Sequence, residues 1–159
     1  MSDEVYRSRL DMLDTCMLMA HTIAQARSKD PRSKVGACAY HAKTGGFYLG
    51  WNGFPAGFPD LKRYWDNRDT STLSHKYLFC IHAELNAIRK AHQALGTLEG
   101  VELFVTHFPC KSCTKDAISM SGIKRVYYAS SEHYDALSLD IAYHSGIEFI
   151  QRDLPASVL

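Results

Sequence analysis

The chain has 159 residues, of which 46% are hydrophobic and 22% charged, a composition typical of a globular protein. Its 18 Lys and Arg residues nearly balance its 17 Asp and Glu residues, and a net charge of +1 argues against a protein that follows a nucleic-acid backbone. No apolar run approaches the roughly 18 residues of a membrane span, and the first ten residues lack an apolar signal core. We therefore expect one cytoplasmic domain over residues 1–159.

The cysteine pattern is unlike that of a disulfide-stapled protein. The five cysteines, at positions 16, 38, 80, 110 and 113, are odd in number and irregular in spacing. Such usage is typical of a reducing compartment. Only Cys110 and Cys113 form a motif, and eight histidines in the same chain make metal chemistry worth testing.

The first half of the chain predicts a helix and then a pair of strands. Apolar residues recur at helical spacing over residues 5–27, and the helix should end before Asp30-Pro31, because a residue before proline avoids the helical region. Strands are predicted over residues 35–40 and 47–51, joined by a turn at Thr44-Gly45-Gly46. The segment from 54 to 81 mixes glycine, proline, aromatic and charged residues, and so long a connection is usually functional or ordered by its own turns.

The second half alternates helices with strands. The patterns predict helices over residues 82–95, 110–121 and 135–145 and strands over residues 101–106, 125–129 and 147–150. On the first of these helices, Leu85, Ile88 and Leu95 should share the buried side. Tyr127 and Tyr128 fall inside a strand and should pack in the core. This order favours an α/β fold whose sheet contains parallel pairs and is covered by helices on both faces.

Two short motifs indicate a zinc site. His82-Ala83-Glu84 opens one predicted helix, and Pro109-Cys110-Lys111-Ser112-Cys113 opens the next helix. A Cys-x-x-Cys alone could be a redox pair or half of a zinc knuckle. Together, His82, Cys110 and Cys113 supply the three protein ligands of a catalytic zinc site, with the fourth position left to water.

Glu84 adds the proton-transfer group that such a site needs. An acid at a helix start can simply be stabilised by the helix dipole. Beside three zinc ligands, its carboxylate can instead take a proton from a water whose pKa zinc lowers to about 7, and pass it on. His-x-Glu with Pro-Cys-x-x-Cys is the signature of zinc nucleobase deaminases.

The chain resembles the deoxycytidylate (dCMP) deaminases over roughly residues 5–152. In addition to the zinc motifs, the resemblance rests on four segments: Arg27-Ser28-Lys29-Asp30-Pro31, Val35-Gly36-Ala37, Gly50-Trp51-Asn52-Gly53 and Gly122-Ile123-Lys124. It implies a three-layer α/β/α fold with a mixed five-stranded sheet. It also implies hydrolysis of dCMP to dUMP, which feeds thymidylate synthesis, with zinc-bound hydroxide attacking C4 and Glu84 as proton shuttle.

The resemblance further implies a hexamer activated by dCTP and inhibited by dTTP, with Mg²⁺ accompanying the bound triphosphate. The substrate residues that it suggests are Asn52 for the sugar hydroxyl, Arg27, Ser28 and Lys29 for the 5′-phosphate, and Val35 and Ala83 near the base. Effector residues would be Gly50, Trp51 and Gly53. A turn-forming role for Asn52, a solvated helix end for the basic residues and core packing for Val35 remain open alternatives.

Two departures from the family pattern matter. Trp51 stands where most members have tyrosine, and the stretch from Cys113 to Gly122 is one residue longer than usual. The longer stretch leaves two candidates for the ring that stacks on the base, Tyr134 and, in the competing register, His133.

The other cysteines and histidines have plainer interpretations. A second, structural zinc held by Cys16, Cys38 and His75 has no support from spacing, and Cys80 is predicted to be buried and apolar. Four histidines are interpreted as surface or satisfied core residues: His75, His92, His107 and His144.

Rival functions are deamination of tRNA adenosine, free cytosine or a riboflavin precursor, or a nucleotide-sensing module that has lost catalysis. The even charge balance disfavours the tRNA enzyme, and Glu84 disfavours the inactive module, because a purely structural zinc site needs no such carboxylate.

Overall fold

Helix α1 (Met12–Arg27) begins at Asp11, whose carboxylate accepts a hydrogen bond from the backbone N–H of Asp14. The computed structural model describes residues 9–155 and 158, so residues 5–8 of the predicted helix lie outside it. Within the described part, the prediction was wrong at the start, because the cap at Asp11 leaves residues 9–11 outside the helix. The predicted end is confirmed, since Ser28 is already extended.

The strands form one mixed sheet in the order β2-β1-β3-β4-β5. β1 pairs antiparallel with both β2 and β3, whereas β3–β4 and β4–β5 are parallel pairs. The predicted parallel pairs in the second half of the chain are therefore confirmed. The strand bounds are β1 (Gly36–His41), β2 (Gly46–Trp51), β3 (Val101–His107), β4 (Arg125–Ser130) and β5 (Glu148–Gln151).

The sheet separates two hydrophobic layers, which confirms the expected three-layer α/β/α architecture. On one face, Cys16, Met17 and Ala20 of α1 pack against Cys38, Phe104 and Tyr127. The rings of Phe104 and Tyr127 stack 4.7 Å apart. The opposite face of the sheet packs against α4 (Ala83–Leu95), the π-helical segment Cys113–Ile118 and α6 (Ala136–His144). The three-residue helix α5 (Ser119–Ser121) follows the π-helical segment and has no buried residue. Within the described residues, no helix is long and apolar enough to cross a membrane.

Small residues bring α4 very close to the sheet. Its buried face consists of Ala83, Glu84, Ala87, Ile88 and Ala91. The predicted buried side was wrong at Leu85, which is 45% exposed. The physical reason is that α4 lies over Gly50 of β2, where a longer side chain on this face would hold the helix away.

The segment between β2 and α4 has a small aromatic core of its own. It contains two short helices, α2 (Lys62–Asp66) and α3 (Lys76–Phe79). The rings of Phe54 and Trp65 stack 3.9 Å apart, and those of Phe58 and Phe79 lie 4.8 Å apart. These contacts order a connection that shows no clear periodicity in the sequence.

The predicted helix over residues 110–121 contains a π-helical segment, Cys113–Ile118. A π turn accommodates one residue more than an α turn, because its hydrogen bonds run from i to i+5. A π-helical segment is therefore compatible with the expectation that this stretch is one residue longer than usual, which stays a prediction. The chain regains α-helical geometry at Ser119.

We predict that Gly50→Ala lowers the free energy of unfolding by about 2 kcal/mol or more, because overpacking typically costs 1–3 kcal/mol and here the obstacle is backbone. An added Cβ would overlap the carbonyl oxygen of Ala83 and the amide nitrogen of Ala87. Urea unfolding followed by circular dichroism measures the change. Gly53→Ala is the matched control, since its Cβ would meet nothing closer than Trp51 Cδ1 at 4.0 Å. Equal stability of the two variants would contradict the close-packing argument.

Candidate metal centre and the cavity beside it

His82 is the N-cap residue of α4, and its side chain makes no capping hydrogen bond. Its backbone is extended (φ −76°, ψ 154°), so the chain turns into the helix at this residue. The imidazole Nδ1 lies 3.5 Å from Cys110 Sγ and 3.2 Å from Cys113 Sγ. The sequence prediction that these three side chains converge is confirmed.

The spacing of the three donor atoms suits a tetrahedral zinc ion. Zinc bonds of ~2.3 Å to sulfur and ~2.0 Å to nitrogen place N and S ligand atoms roughly 3.5 Å apart in tetrahedral geometry. The two N···S distances, 3.5 and 3.2 Å, are close to that value. All three donor atoms lie within 4.8 Å of one another. One imidazole and two thiols are also the donor types that zinc prefers.

A buried hydrogen-bond network, which the sequence did not reveal, holds the backbone of the Cys-x-x-Cys turn. The Thr114 hydroxyl donates to the carbonyl oxygen of Cys110 (3.0 Å), and the Ser138 hydroxyl donates to that of Pro109 (2.7 Å). The Thr114 and Ser138 oxygens are 2.6 Å apart, and both residues are fully buried. Ser138 belongs to α6, so this helix positions the two thiols from behind.

The two thiols differ in acidity because one donates to the other. A hydrogen bond from Cys113 lowers the pKa of Cys110 to about 4, with smaller help from His82. The same bond, together with burial, raises the pKa of Cys113. The hydrogen bond with Cys110 raises the pKa of His82. The direction of the Cys110 shift favours the thiolate, which is the form of cysteine that binds a metal.

Glu84 lies in the first turn of α4 and is buried. Loss of solvation raises the pKa of its carboxyl group, partly offset by the nearby His82. A carboxyl group with a raised pKa can hold a proton and release it near neutral pH, which is what a general acid–base catalyst needs.

A cavity of about 370 Å³ opens beside the metal donors. This volume is in the range of small-molecule binding sites. Six of the predicted site residues line it, namely Val35, Asn52, His82, Ala83, Glu84 and Cys110. The structure therefore brings the zinc motifs together with part of the expected substrate site.

The basic segment predicted to hold a phosphate does not line this cavity. The Arg27 guanidinium lies over the Trp51 ring, 5.5 Å from its centroid, and the Lys29 ammonium pairs with Asp60. Ser28 is buried and donates to Asn52 Oδ1 at 2.7 Å. None of these three residues lines the cavity, but Ser28 contacts a residue that does, namely Asn52.

Asn52 ties three segments together at the cavity wall. In addition to the bond from Ser28, its Oδ1 accepts from the backbone N–H of Val35 (3.0 Å), and its Nδ2 donates to the carbonyl oxygen of Ser33 (2.8 Å). The amide nitrogen keeps a second hydrogen for a ligand. These side-chain bonds give Asn52 a structural role as a link between segments, which differs from the turn-forming role of its alternative interpretation. Its sugar-binding role stays a prediction.

Of the two candidates for the stacking ring, only His133 lines the cavity. Tyr134 is 57% exposed and packs on Phe108, with ring centroids 5.2 Å apart. His107, interpreted from sequence as a surface or core histidine, also lines the cavity, and its ring stacks on that of His133 at 5.4 Å. Phe108 and His107 were missed because nothing in their spacing distinguishes them from other residues at the end of a buried strand.

The predicted effector residues lie outside the cavity lining. Gly50 is covered by α4, and Gly53 pairs with Ile81 through backbone hydrogen bonds of 3.1 and 2.7 Å. The Trp51 ring lies between the side chains of Arg27 and Lys90, and the Lys90 ammonium is 4.0 Å from its centroid.

The remaining cysteines have different environments. Cys16 and Cys38 are buried together in the core on the α1 face of the sheet, and His75 lies in the segment before α3. Among the described residues, the groupings able to hold a metal do not include these three. The prediction that Cys80 is buried was wrong. Cys80 is partly exposed and lines the cavity, where burial of the thiol raises its pKa to about 11.

Comparison with known proteins agrees with this site. The profile described as the cytidine and deoxycytidylate deaminase zinc-binding region matches residues 11–130. The deoxycytidylate deaminase of Mus musculus is 37% identical over 139 residues, which cover 86% of this chain and 76% of that protein. The deoxycytidylate deaminase of Homo sapiens is 38% identical over 120 residues, 76% of this chain and 65% of that protein.

A solved structure has the same architecture. The dCMP deaminase of the cyanophage S-TIM5, in complex with dCMP and dUMP, superposes with a TM-score of 0.72 at 29% identity. The superposition covers 92% of this chain and all of that one. On the profile match, the relatives and the geometry of the His-Cys-Cys-Glu site, this chain belongs to the cytidine and deoxycytidylate deaminase family of zinc-binding hydrolases.

Proposed function

We propose that this protein hydrolyses dCMP to dUMP and ammonia in the cytoplasm, as a single catalytic domain that supplies dUMP for thymidylate synthesis. The observation that carries the proposal is a buried Glu84 beside His82, Cys110 and Cys113 at a cavity large enough for a nucleotide. The mammalian relatives named deoxycytidylate deaminase and the phage enzyme bound to dCMP and dUMP support this choice of substrate.

Glu84 performs the proton transfers of the proposed reaction. Water adds to C4 of the cytosine ring and the amino group leaves as ammonia, so a proton must move from the water to the ring nitrogen N3 and another to the departing nitrogen. The buried carboxyl group accepts and returns these protons, and loss of solvation raises its pKa, which favours the protonated form that hands the proton on. His82, Cys110 and Cys113 would hold the zinc ion, which would supply Lewis-acid activation of the attacking water.

The cavity walls orient the base and the sugar. Val35 and Ala83 provide apolar contact, and Asn52 presents its remaining amide hydrogen to the sugar hydroxyl. His133 is the better candidate for the stacking ring than Tyr134, because it is the one that lines the cavity. Stacking against a ring is how deaminases of this class hold a pyrimidine.

We further propose that dCTP activates and dTTP inhibits a hexameric form of the enzyme, with Mg²⁺ on the triphosphate. The cations around Trp51 support an anionic effector near Gly50 and Gly53. Burial lowers the pKa of Lys90, with further lowering by Arg89 and Arg27, which indicates an accumulation of positive charge at this position. Exposed apolar side chains at Met120, Leu137 and Tyr143 support burial in an oligomer.

We predict that Glu84→Gln keeps one zinc per chain and loses turnover of dCMP by at least about 100-fold, the usual contribution of general acid–base catalysis. The amide preserves shape and cannot carry the proton. Ammonia release and metal analysis measure the two effects. Glu99→Gln, at an exposed position after α4, is the control and should retain full activity. Full activity of Glu84→Gln would refute the proton-shuttle role.

We predict that Cys110→Ser and Cys113→Ser each lose most of the bound zinc and with it the activity. A serine hydroxyl is a far weaker zinc ligand than a thiolate. Metal content after gel filtration measures the loss. Cys80→Ser is a matched control, because Cys80 lines the same cavity without contacting the donor set. Normal zinc in either ligand variant would remove that cysteine from the site.

We predict a sigmoidal dCMP saturation curve that dCTP with Mg²⁺ makes more nearly hyperbolic and dTTP makes more sigmoidal. Light scattering on the same samples should give the mass of a hexamer. Lys90→Gln should weaken both effector responses while leaving the effector-free rate unchanged, since Lys90 lies outside the catalytic cavity. A hyperbolic curve that ignores both nucleotides, or a monomer at working concentration, would contradict this part of the proposal.

A further inference from the structure

One wall of the cavity comes from the connection between β2 and α4. Within residues 54–81 of this connection, four residues line the cavity, namely Arg68, Lys76, Tyr77 and Cys80. The length of the segment indicated that it is functional or ordered by its own turns, without indicating which of its residues act. Two of the four carry a positive charge, so the first question is which charge is available to a ligand.

The charge of Lys76 is already neutralised. Its ammonium lies 2.6 Å from Asp30 Oδ2, and the two side chains are only 4% and 2% exposed. Asp30 is itself held by backbone N–H groups of Arg32 (2.9 Å) and Ser33 (3.0 Å). Breaking such a buried pair would leave an uncompensated charge, so Lys76 stays with Asp30 when a ligand enters.

Arg68 is different, because its charge has no counterpart in the described part of the chain. No carboxylate of those residues forms an ion pair with it. Its Nε is buried without a hydrogen-bond partner, so this atom is closed to a ligand, whereas Arg68 itself lines the cavity. A guanidinium suits the two-oxygen face of a phosphate or carboxylate.

The loop around Arg68 is pre-formed. The backbone N–H of Lys76 donates to the carbonyl oxygen of Asn67 (2.8 Å) and closes the loop between α2 and α3. The Asn67 side chain also donates to Thr72 (3.0 Å), and Asp69 accepts from the backbone and hydroxyl of Ser71. The loop therefore needs little ordering when a ligand binds, which favours affinity.

We propose that Arg68 binds the 5′-phosphate of the substrate and makes the enzyme selective for a nucleoside monophosphate over the nucleoside. The inference rests on the proposed deamination of dCMP, and it replaces the basic segment Arg27–Lys29 as the phosphate site. Arg68 shares a cavity with Glu84 and the zinc donors, whereas Arg27 lies on Trp51 and Lys29 is paired with Asp60.

The test compares dCMP with deoxycytidine as substrates of the zinc-loaded full chain. Arg68→Gln should lower kcat/KM for dCMP by ~100-fold, the loss expected for a charge-assisted hydrogen bond of about 1.5–3 kcal/mol. Its kcat/KM for deoxycytidine should stay unchanged, because that substrate has no phosphate. Arg63→Gln is the matched control: Arg63 lies in α2 over the Tyr64 ring, outside the cavity lining, and should leave both substrates unaffected.

A second measurement separates this inference from the function itself. Inorganic phosphate, titrated calorimetrically against the zinc-loaded wild type, should bind, and Arg68→Gln should abolish that binding. If the wild type deaminates neither substrate but phosphate binding still depends on Arg68, the proposed function fails while the anion site stands. If phosphate binding does not depend on Arg68, the inference fails, whatever the enzyme deaminates.

Three further outcomes would overturn the proposal: unchanged kcat/KM for dCMP in Arg68→Gln, an equal loss for both substrates, or a wild type that prefers deoxycytidine. Arg68→Lys serves as a second variant in case the glutamine variant does not fold. It keeps the charge but loses the two-pronged geometry of the guanidinium, so it should lose kcat/KM for dCMP alone, by less than Arg68→Gln.

Discussion

The close approach of α4 to the sheet is the constraint on which the rest of the molecule depends. Gly50 leaves the helix backbone in contact with β2, and the alanines on the buried face of α4 let the two elements meet. This approach determines where the first turn of α4 stands. His82 and Glu84 therefore come to lie beside the carboxyl end of β3, where Cys110 and Cys113 begin the next helix.

Around that contact, the site is built from two kinds of support. Hydrogen bonds from Thr114 and Ser138 hold the backbone of the Cys-x-x-Cys turn, and a π-helical segment continues the chain from Cys113. On the opposite wall, Asn52 joins the end of α1 to the strands through three hydrogen bonds. Both supports are polar and buried, so each group is tied to a defined partner.

Most charges in the chain and in the cavity are balanced by an opposite charge. The whole chain is nearly neutral, and within the cavity Asp30 and Lys76 cancel one another. What remains are the ionisable groups at the metal donors, the histidine pair His107 and His133, and Arg68. A cavity with one uncompensated cation suits a small anionic ligand better than a polymer, which agrees with what the overall charge balance indicated.

The sequence by itself determined the zinc donors and the order of the strands and longer helices, because hydrophobic periodicity and short motif spacing are local properties of the chain. The mixed five-stranded sheet was implied by the resemblance to the dCMP deaminases, and the short helices α2 and α3 were not predicted. The sequence also located Glu84, since the residue lies two positions from His82. Only the tertiary structure decided that His133 and not Tyr134 faces the cavity and that Leu85 is exposed. It also decided that Arg68, and not Arg27 or Lys29, lines the cavity as a cation without a carboxylate partner among the described residues. Those outcomes depend on how distant segments pack, and on which basic groups find carboxylates or aromatic rings elsewhere. A one-residue shift in a loop, or an ion pair with a distant residue, changes which side chain faces the cavity. Neither of these features alters the hydrophobic periodicity of the sequence.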